Sequence, residues 1–115
     1  MDESERQFED LAQLFSALGH PVRLQILLQT IDGEFCVQEI GERLDRSQPN
    51  VSQHLTVLRE RGLVIPKRRG KKVCYRLANQ GIREIIMCAM HVVGDEACEW
   101  PSRASEHPPE VVQWN

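Results

Sequence analysis

A mainly α-helical domain carrying one small β-hairpin is what this sequence predicts, and three observations predict it. Apolar residues recur at three- and four-residue spacing through five separate segments. The period falls to two in one stretch only, between residues 63 and 77. That stretch is interrupted by a short basic turn, Arg69-Gly70-Lys71. With 115 residues, 41% hydrophobic and 27% charged, the chain supports a single ordinary core.

The first helix is expected over residues 3–18, where Phe8, Leu11, Leu14, Phe15 and Leu18 form an apolar stripe. Gly19-His20-Pro21 breaks it, and Pro21 suits the first turn of a second helix whose Leu24, Leu27, Leu28 and Ile31 repeat the pattern. Asp32-Gly33 marks a turn, and a short extended piece around Phe35 leads into a helix at Val37–Leu44, with Val37, Ile40 and Leu44 inward. Asp45-Arg46-Ser47 is a tight connection. Ser47 serves as N-cap of the next helix, Pro49 is tolerated in its first turn, and Val51, Leu55 and Leu58 mark its buried side as far as Arg61. Gly62 is a natural residue to follow that helix. A strand opens at Leu63-Val64-Ile65. After the basic turn Val73, Tyr75 and Leu77 alternate with outward Lys72, Cys74 and Arg76. Asn79 caps a last helix with Ile82, Ile85, Ile86, Ala89 and Val93 on one side. Periodicity ends at Gly94, and Pro101, Pro108 and Pro109 discourage further long helices.

The net charge of −3 hides an uneven distribution. Between Arg59 and Arg76 stand eight basic residues and one acid, Glu60, whereas the acids sit mainly in the first ten residues and from Asp95 onward. A binding partner responds to the local field, so this is an anion-binding patch on an acidic chain. Two helices joined by a tight turn and followed by a basic hairpin constitute a winged helix-turn-helix, which lays its second helix in the major groove and its hairpin on phosphates or the minor groove. The candidate DNA contacts are Ser47, Gln48, Asn50, Ser52, Gln53 and His54 on the reading helix, and Lys67, Arg68, Arg69, Lys71 and Lys72 on the wing.

Other classes fit less well. No apolar run approaches the ~18 residues of a membrane span, and the acidic MDESERQFED start lacks a signal-peptide apolar region. A soluble cytoplasmic protein with reduced thiols at Cys36, Cys74, Cys88 and Cys98 is expected. Four cysteines and four histidines could form a Cys–His nucleophile pair. No Gly-rich phosphate loop, nucleophile elbow or paired carboxylates accompany them, and the core is too small for a deep cleft, so the chain is not read as an enzyme. A winged helix used only for protein contacts has no need of five cations between Lys67 and Lys72.

The blocks LFSALGHPVRLQILLQT, SQPNVSQHLTVLRERGLV and GKKVCYRL resemble the ArsR/SmtB family of bacterial winged-helix repressors, over about residues 8–93. The resemblance implies a homodimer through the first and last helices, binding to double-stranded operator DNA without ligand, and release by an inducer. The expected organisation is a DNA-binding and dimerisation domain at 1–94, followed by a flexible, acidic, Pro-containing tail at 95–115, where periodicity is lost. The family's zinc-type pattern, D-x-H-x10-H-x2-[HE], falls here on Asn79, Gly81, Val92 and Asp95, and three of the four cannot serve. Its arsenical motif E-L-C-V-C-D-L reads Glu34-Phe35-Cys36-Val37-Gln38-Glu39-Ile40, which keeps the first cysteine and has Gln38 at the second. The persulfide-sensing branch carries a cysteine in its second helix, and Leu24–Leu28 has none. Glu84, Cys88, His91 and Asp95 share one side of the last helix, Cys98 lies just beyond beside Trp100, and Cys74 is read as incidental on the wing. With no permanent cofactor, the expected inducer is As(III) or another thiophilic ion held by Cys36 with Cys88 or Cys98. A disulfide switch among the same thiols is the alternative.

Overall fold

A computed structural model of the chain describes residues 2–94. Its elements run α1 (Glu3–Leu18), α2 (Pro21–Ile31), β1 (Phe35–Cys36), α3 (Val37–Leu44), α4 (Gln48–Glu60), β2 (Val64–Arg69), β3 (Lys72–Leu77) and α5 (Gln80–Val93). They form two compact units, one ending at Ala78 and one beginning at Asn79. No described helix is long and apolar enough to cross a membrane.

The helix boundaries follow local chemistry. Asp2 caps α1 in a reciprocal box with Glu5, its carboxylate accepting the Glu5 N–H at 3.0 Å. His20 caps α2, its Nδ1 accepting the Val22 N–H at 3.1 Å, with Pro21 in the first turn. Between α3 and α4 the chain turns through Asp45 in the left-handed region (φ 56°), and the Arg46 N–H returns to the Gly41 carbonyl at 2.8 Å. That return leaves no room for a side chain at Gly41, because a Cβ there would stand 2.8 Å from the Arg46 carbonyl oxygen. Ser47 caps α4 by accepting the Asn50 N–H at 3.3 Å. The helix ends one residue earlier than its apolar pattern suggests, with Arg61 as C-cap and Gly62 at φ 76°.

Three strands make one antiparallel sheet in the order β1-β3-β2. Its hairpin turns at Gly70-Lys71, where Gly70 alone has positive φ (64°), the pattern of a type II′ turn. The core of the first unit is made by Ile26 and Leu27 of α2, Ile40 of α3, Val51, Leu55 and Leu58 of α4, and Leu63 at the entrance to the wing, all essentially inaccessible.

Several apolar stripes lie differently from the sequence pattern. On α2 the buried residues are Val22, Ile26, Leu27 and Thr30, while Leu24, Leu28 and Ile31 are only half-buried. Thr30 is tolerated in the core because its hydroxyl donates to the Leu27 carbonyl at 2.8 Å. Val37 and Leu44 are half-buried at the two ends of α3. On α1 only Ala17 and Leu18 are buried, and Phe8 (72%), Leu11 (46%) and Phe15 (54%) remain exposed. In the second unit Ile82 and Ile86 are buried, Ile85 is half-buried, and Ala89 and Val93 are exposed.

Candidate nucleic-acid interface

Helix α4 displays its polar residues because its apolar ones are committed inward. Val51, Leu55 and Leu58 occupy one side, so Gln48, Ser52, Gln53 and Thr56 emerge on the other, exposed. Pro49, Ser52, Gln53 and Thr56 border a shallow concavity along that side, and Thr56 is a member the sequence pattern did not single out. Ser47 is exposed at the helix N-terminus, where free N–H groups favour an anion such as a phosphate. A second hollow between α3 and α4 is lined by Gln38, Glu42, Arg46 and Gln48.

Two of the expected base-reading residues are less available. Asn50 is half-buried at the first turn of α4. His54 is also half-buried and stacks at a tilt on His20, ring centroids 4.5 Å apart, so α4 leans on the capping residue of α2. Burial, and after it the charges of His20, Arg23 and Arg46, push the His54 imidazole below its ordinary pKa of 6.5.

The wing presents Lys67, Arg68, Arg69, Lys71 and Lys72, all exposed. Arg69 is not free to act as an isolated cation. Its guanidinium donates to both carboxylate oxygens of Glu34, at 2.7 and 3.1 Å, which holds the Glu34 carboxyl below the usual carboxylate range. Nothing in the linear sequence signals this pair, since 35 positions separate its members. The remaining wing cations and the exposed side of α4 are the surface suited to a phosphate backbone and base edges.

The thiols divide by location. Cys36 is buried (4%) as N-cap of α3, and its N–H donates to Glu39 at 2.9 Å. Hydrogen bonds from the Cys36 backbone and then its side chain hold the Glu39 carboxyl below its ordinary value. Cys74 is half-buried rather than outward, directly opposite Cys36 in the β1–β3 ladder and opposite Lys67 in the β2–β3 ladder. Cys88 is exposed on α5, whereas Cys98, Trp100 and Asp95 lie outside the described residues. Among the described residues no group of three or more His, Cys, Asp or Glu side chains could hold a metal ion.

The profile described as "Bacterial regulatory protein, arsR family" matches residues 20–65, from the cap of α2 to the start of the wing. Over 93 residues the chain is 40% identical to the HTH-type transcriptional repressor SmtB of Mycobacterium tuberculosis, covering 80% of this chain and 69% of that protein. It is 46% identical over 67 residues to the arsenical resistance operon repressor of Escherichia coli K12, covering 57% of each. Among solved structures, the homodimeric winged helix-turn-helix DNA-binding domain Mb0332 of Mycobacterium bovis superposes with a TM-score of 0.74 at 29% identity, covering 84% of this chain and 89% of that one.

Proposed function

The chain belongs to the arsR family of bacterial regulatory proteins, DNA-binding transcriptional regulators rather than enzymes, and on that premise we propose that it is a homodimeric repressor released from its operator by an inducer acting at cysteine thiols. The observation that carries the DNA-binding part is the α3–turn–α4 unit, whose exposed Gln48, Ser52 and Gln53 stand beside a wing carrying five exposed cations. A gel-shift or anisotropy titration against a short imperfect palindrome tests it. Affinity must fall with salt on a log–log slope of about −0.9 for each phosphate neutralised. A slope near zero removes the wing from the interface.

A second copy of the chain as partner is supported by α1. Phe8, Leu11 and Phe15 recur at spacings of three and four and stay exposed, a stripe that water penalises and a two-fold partner would cover. The similarity to a homodimeric domain points the same way.

For the signal, a thiophilic ion of the As(III) kind bound at Cys36, with Cys88 or Cys98 from either protomer as further ligand, is the first reading. It is supported by the similarity to an arsenical resistance operon repressor and by Cys36 standing where the arsenical motif has its first cysteine. Release would follow if the ion distorted the dimer by a coupling of roughly 1–3 kcal/mol. An operator-release assay with arsenite, antimonite, cadmium, zinc and a persulfide donor, on the wild type and each Cys→Ser variant, tests it. Release by zinc alone, or release that survives Cys36→Ser, rejects the Cys36 assignment. A thiol-oxidation reading is favoured by one specific observation, the placement of Cys74 against Cys36.

A further inference from the structure

We propose that Cys36 and Cys74 are a redox-active dithiol, which a hydroperoxide converts to an intramolecular disulfide joining the N-terminus of α3 to the middle strand of the wing. The register pairs the two residues directly. Residues opposed in an antiparallel ladder point to the same side of the sheet. Their Cα atoms stand about 4.5 or 5.5 Å apart, depending on the pair type, and both values fall within the ~4.4–6.8 Å that a disulfide spans. The register thus places the two thiols within the span of a disulfide. Burial, followed by Cys36, Glu34 and Glu39, raises the Cys74 thiol, with Arg69 opposing them.

Their surroundings assign the roles. Cys74 is the less buried of the two, so it takes the first oxidising equivalent. Cys36, at 4% exposure, is the resolving thiol. The Cys74 thiolate attacks the distal peroxide oxygen, the O–O bond breaks, and the leaving alkoxide takes the proton, giving an alcohol (water, from hydrogen peroxide) and a sulfenic acid on Cys74. The Cys36 sulfur then attacks that sulfenic sulfur. The S–O bond breaks, the hydroxide leaves with the Cys36 proton as water, and the S–S bond is complete. Two thiols and one hydroperoxide thus give one disulfide, one alcohol and one water.

The bond would enclose α3, α4 and β2 in one loop, because all three lie between Cys36 and Cys74 in the chain. The angle between wing and helix pair, which sets how both meet a duplex, becomes covalently fixed. This consequence rests on the thiol-sensing reading above, whereas the chemistry of the pair does not.

The experiment uses the full chain carrying Cys88→Ser and Cys98→Ser, treated with hydrogen peroxide and examined by intact mass, thiol titration and peptide mapping. The expected result is loss of two hydrogen masses, a thiol titre falling from two to zero, a Cys36–Cys74 linked peptide, and full reversal by dithiothreitol. Adding Cys74→Ser, a substitution at a half-exposed position, should abolish the mass loss. Oxygen adducts at Cys36 and Cys74 without any linked peptide would overturn the dithiol, as would a wild-type chain in which Cys36 pairs with Cys88 or Cys98 instead. Operator affinity is measured on the same oxidised sample. A linked peptide with unchanged affinity upholds the dithiol and rejects its role in sensing.

Discussion

Gln53 and the wing cations are exposed polar residues that would meet different parts of a duplex. Gln53 is exposed on the outer side of α4, from which a side chain would reach base edges, and Lys71 sits at the hairpin turn, from which it would reach phosphates. Gln53→Ala should therefore weaken the cognate operator by roughly 1–3 kcal/mol and leave random DNA unaffected, whereas Lys71→Ala should weaken all sequences alike and lower the salt slope by about one phosphate. Parallel titrations on specific and random duplexes read the difference, and equal effects of the two substitutions would reject this division of labour. Arg69 belongs to neither group in a simple way. Because it is held by Glu34, Glu34→Ala should strengthen DNA binding by freeing a cation and removing an anion, most clearly at low salt. His54 carries a pH prediction. Its lowered pKa means that the folded chain takes up a proton less readily than the unfolded chain. Stability should rise with pH between the lowered value and the ordinary 6.5, be fully present above it, and fall as acid is added through that window. Melting temperatures across about pH 5 to 7 should rise for the wild type and flatten for His54→Gln.

At the scale of elements, the decisive join is between α3 and α4. Asp45 bends the chain through a left-handed residue, and Gly41 lets the Arg46 backbone approach to hydrogen-bond distance. A methyl group at position 41 would sit 2.8 Å from a backbone oxygen that cannot rotate away. Gly41→Ala is expected to cost about 1–3 kcal/mol through forced separation of the two helices, despite alanine's better helix propensity. Chemical denaturation checks this, and an unchanged or raised midpoint would show that the turn relaxes freely. This junction was partly legible in the linear chain. Ser47 as N-cap and Pro49 in the first turn follow from the orphan N–H groups of the α4 N-terminus, which are a local requirement. The need for a glycine at 41 was not, because the atom it avoids belongs to a residue whose position depends on the turn. The stripe on α2 shows the same limit. Leu24, Leu28 and Ile31 carry the right period, yet the helix is rotated so that Val22, Ile26 and Thr30 face the core beside Leu27. Period fixes that a helix has an apolar side, and packing against α3, α4 and β3 fixes which residues centre it.

For the whole molecule, the exposed stripe on α1 predicts assembly. Phe15→Glu places a charge on the stripe of Phe8, Leu11 and Phe15, which is exposed among the described residues. It should convert a dimer to monomers by sedimentation, with monomer stability changed by no more than about 0.5 kcal/mol, as for an ordinary surface substitution. Operator affinity should collapse with it, since two half-sites then bind without coupling. A variant that remains dimeric would put the interface elsewhere. Ile86 is a poor reporter for this purpose, because it is buried and a charge there would damage the fold itself.

The succession of elements, their caps and turns, the basic wing and the polar outer side of α4 can all be read along the chain. Each of these depends on residues within a few positions of one another, through period, capping and local charge. Which distant residues become neighbours depends instead on how the elements pack: Glu34 with Arg69, His20 with His54, and above all Cys36 with Cys74. The last of these separates an incidental wing thiol from one half of a dithiol. A strand of two residues, Phe35–Cys36, has no period of its own to read. Its register is set by where β3 lies after α3, α4 and β2 have packed, and a shift of one position would turn Cys36 to the other side of the sheet.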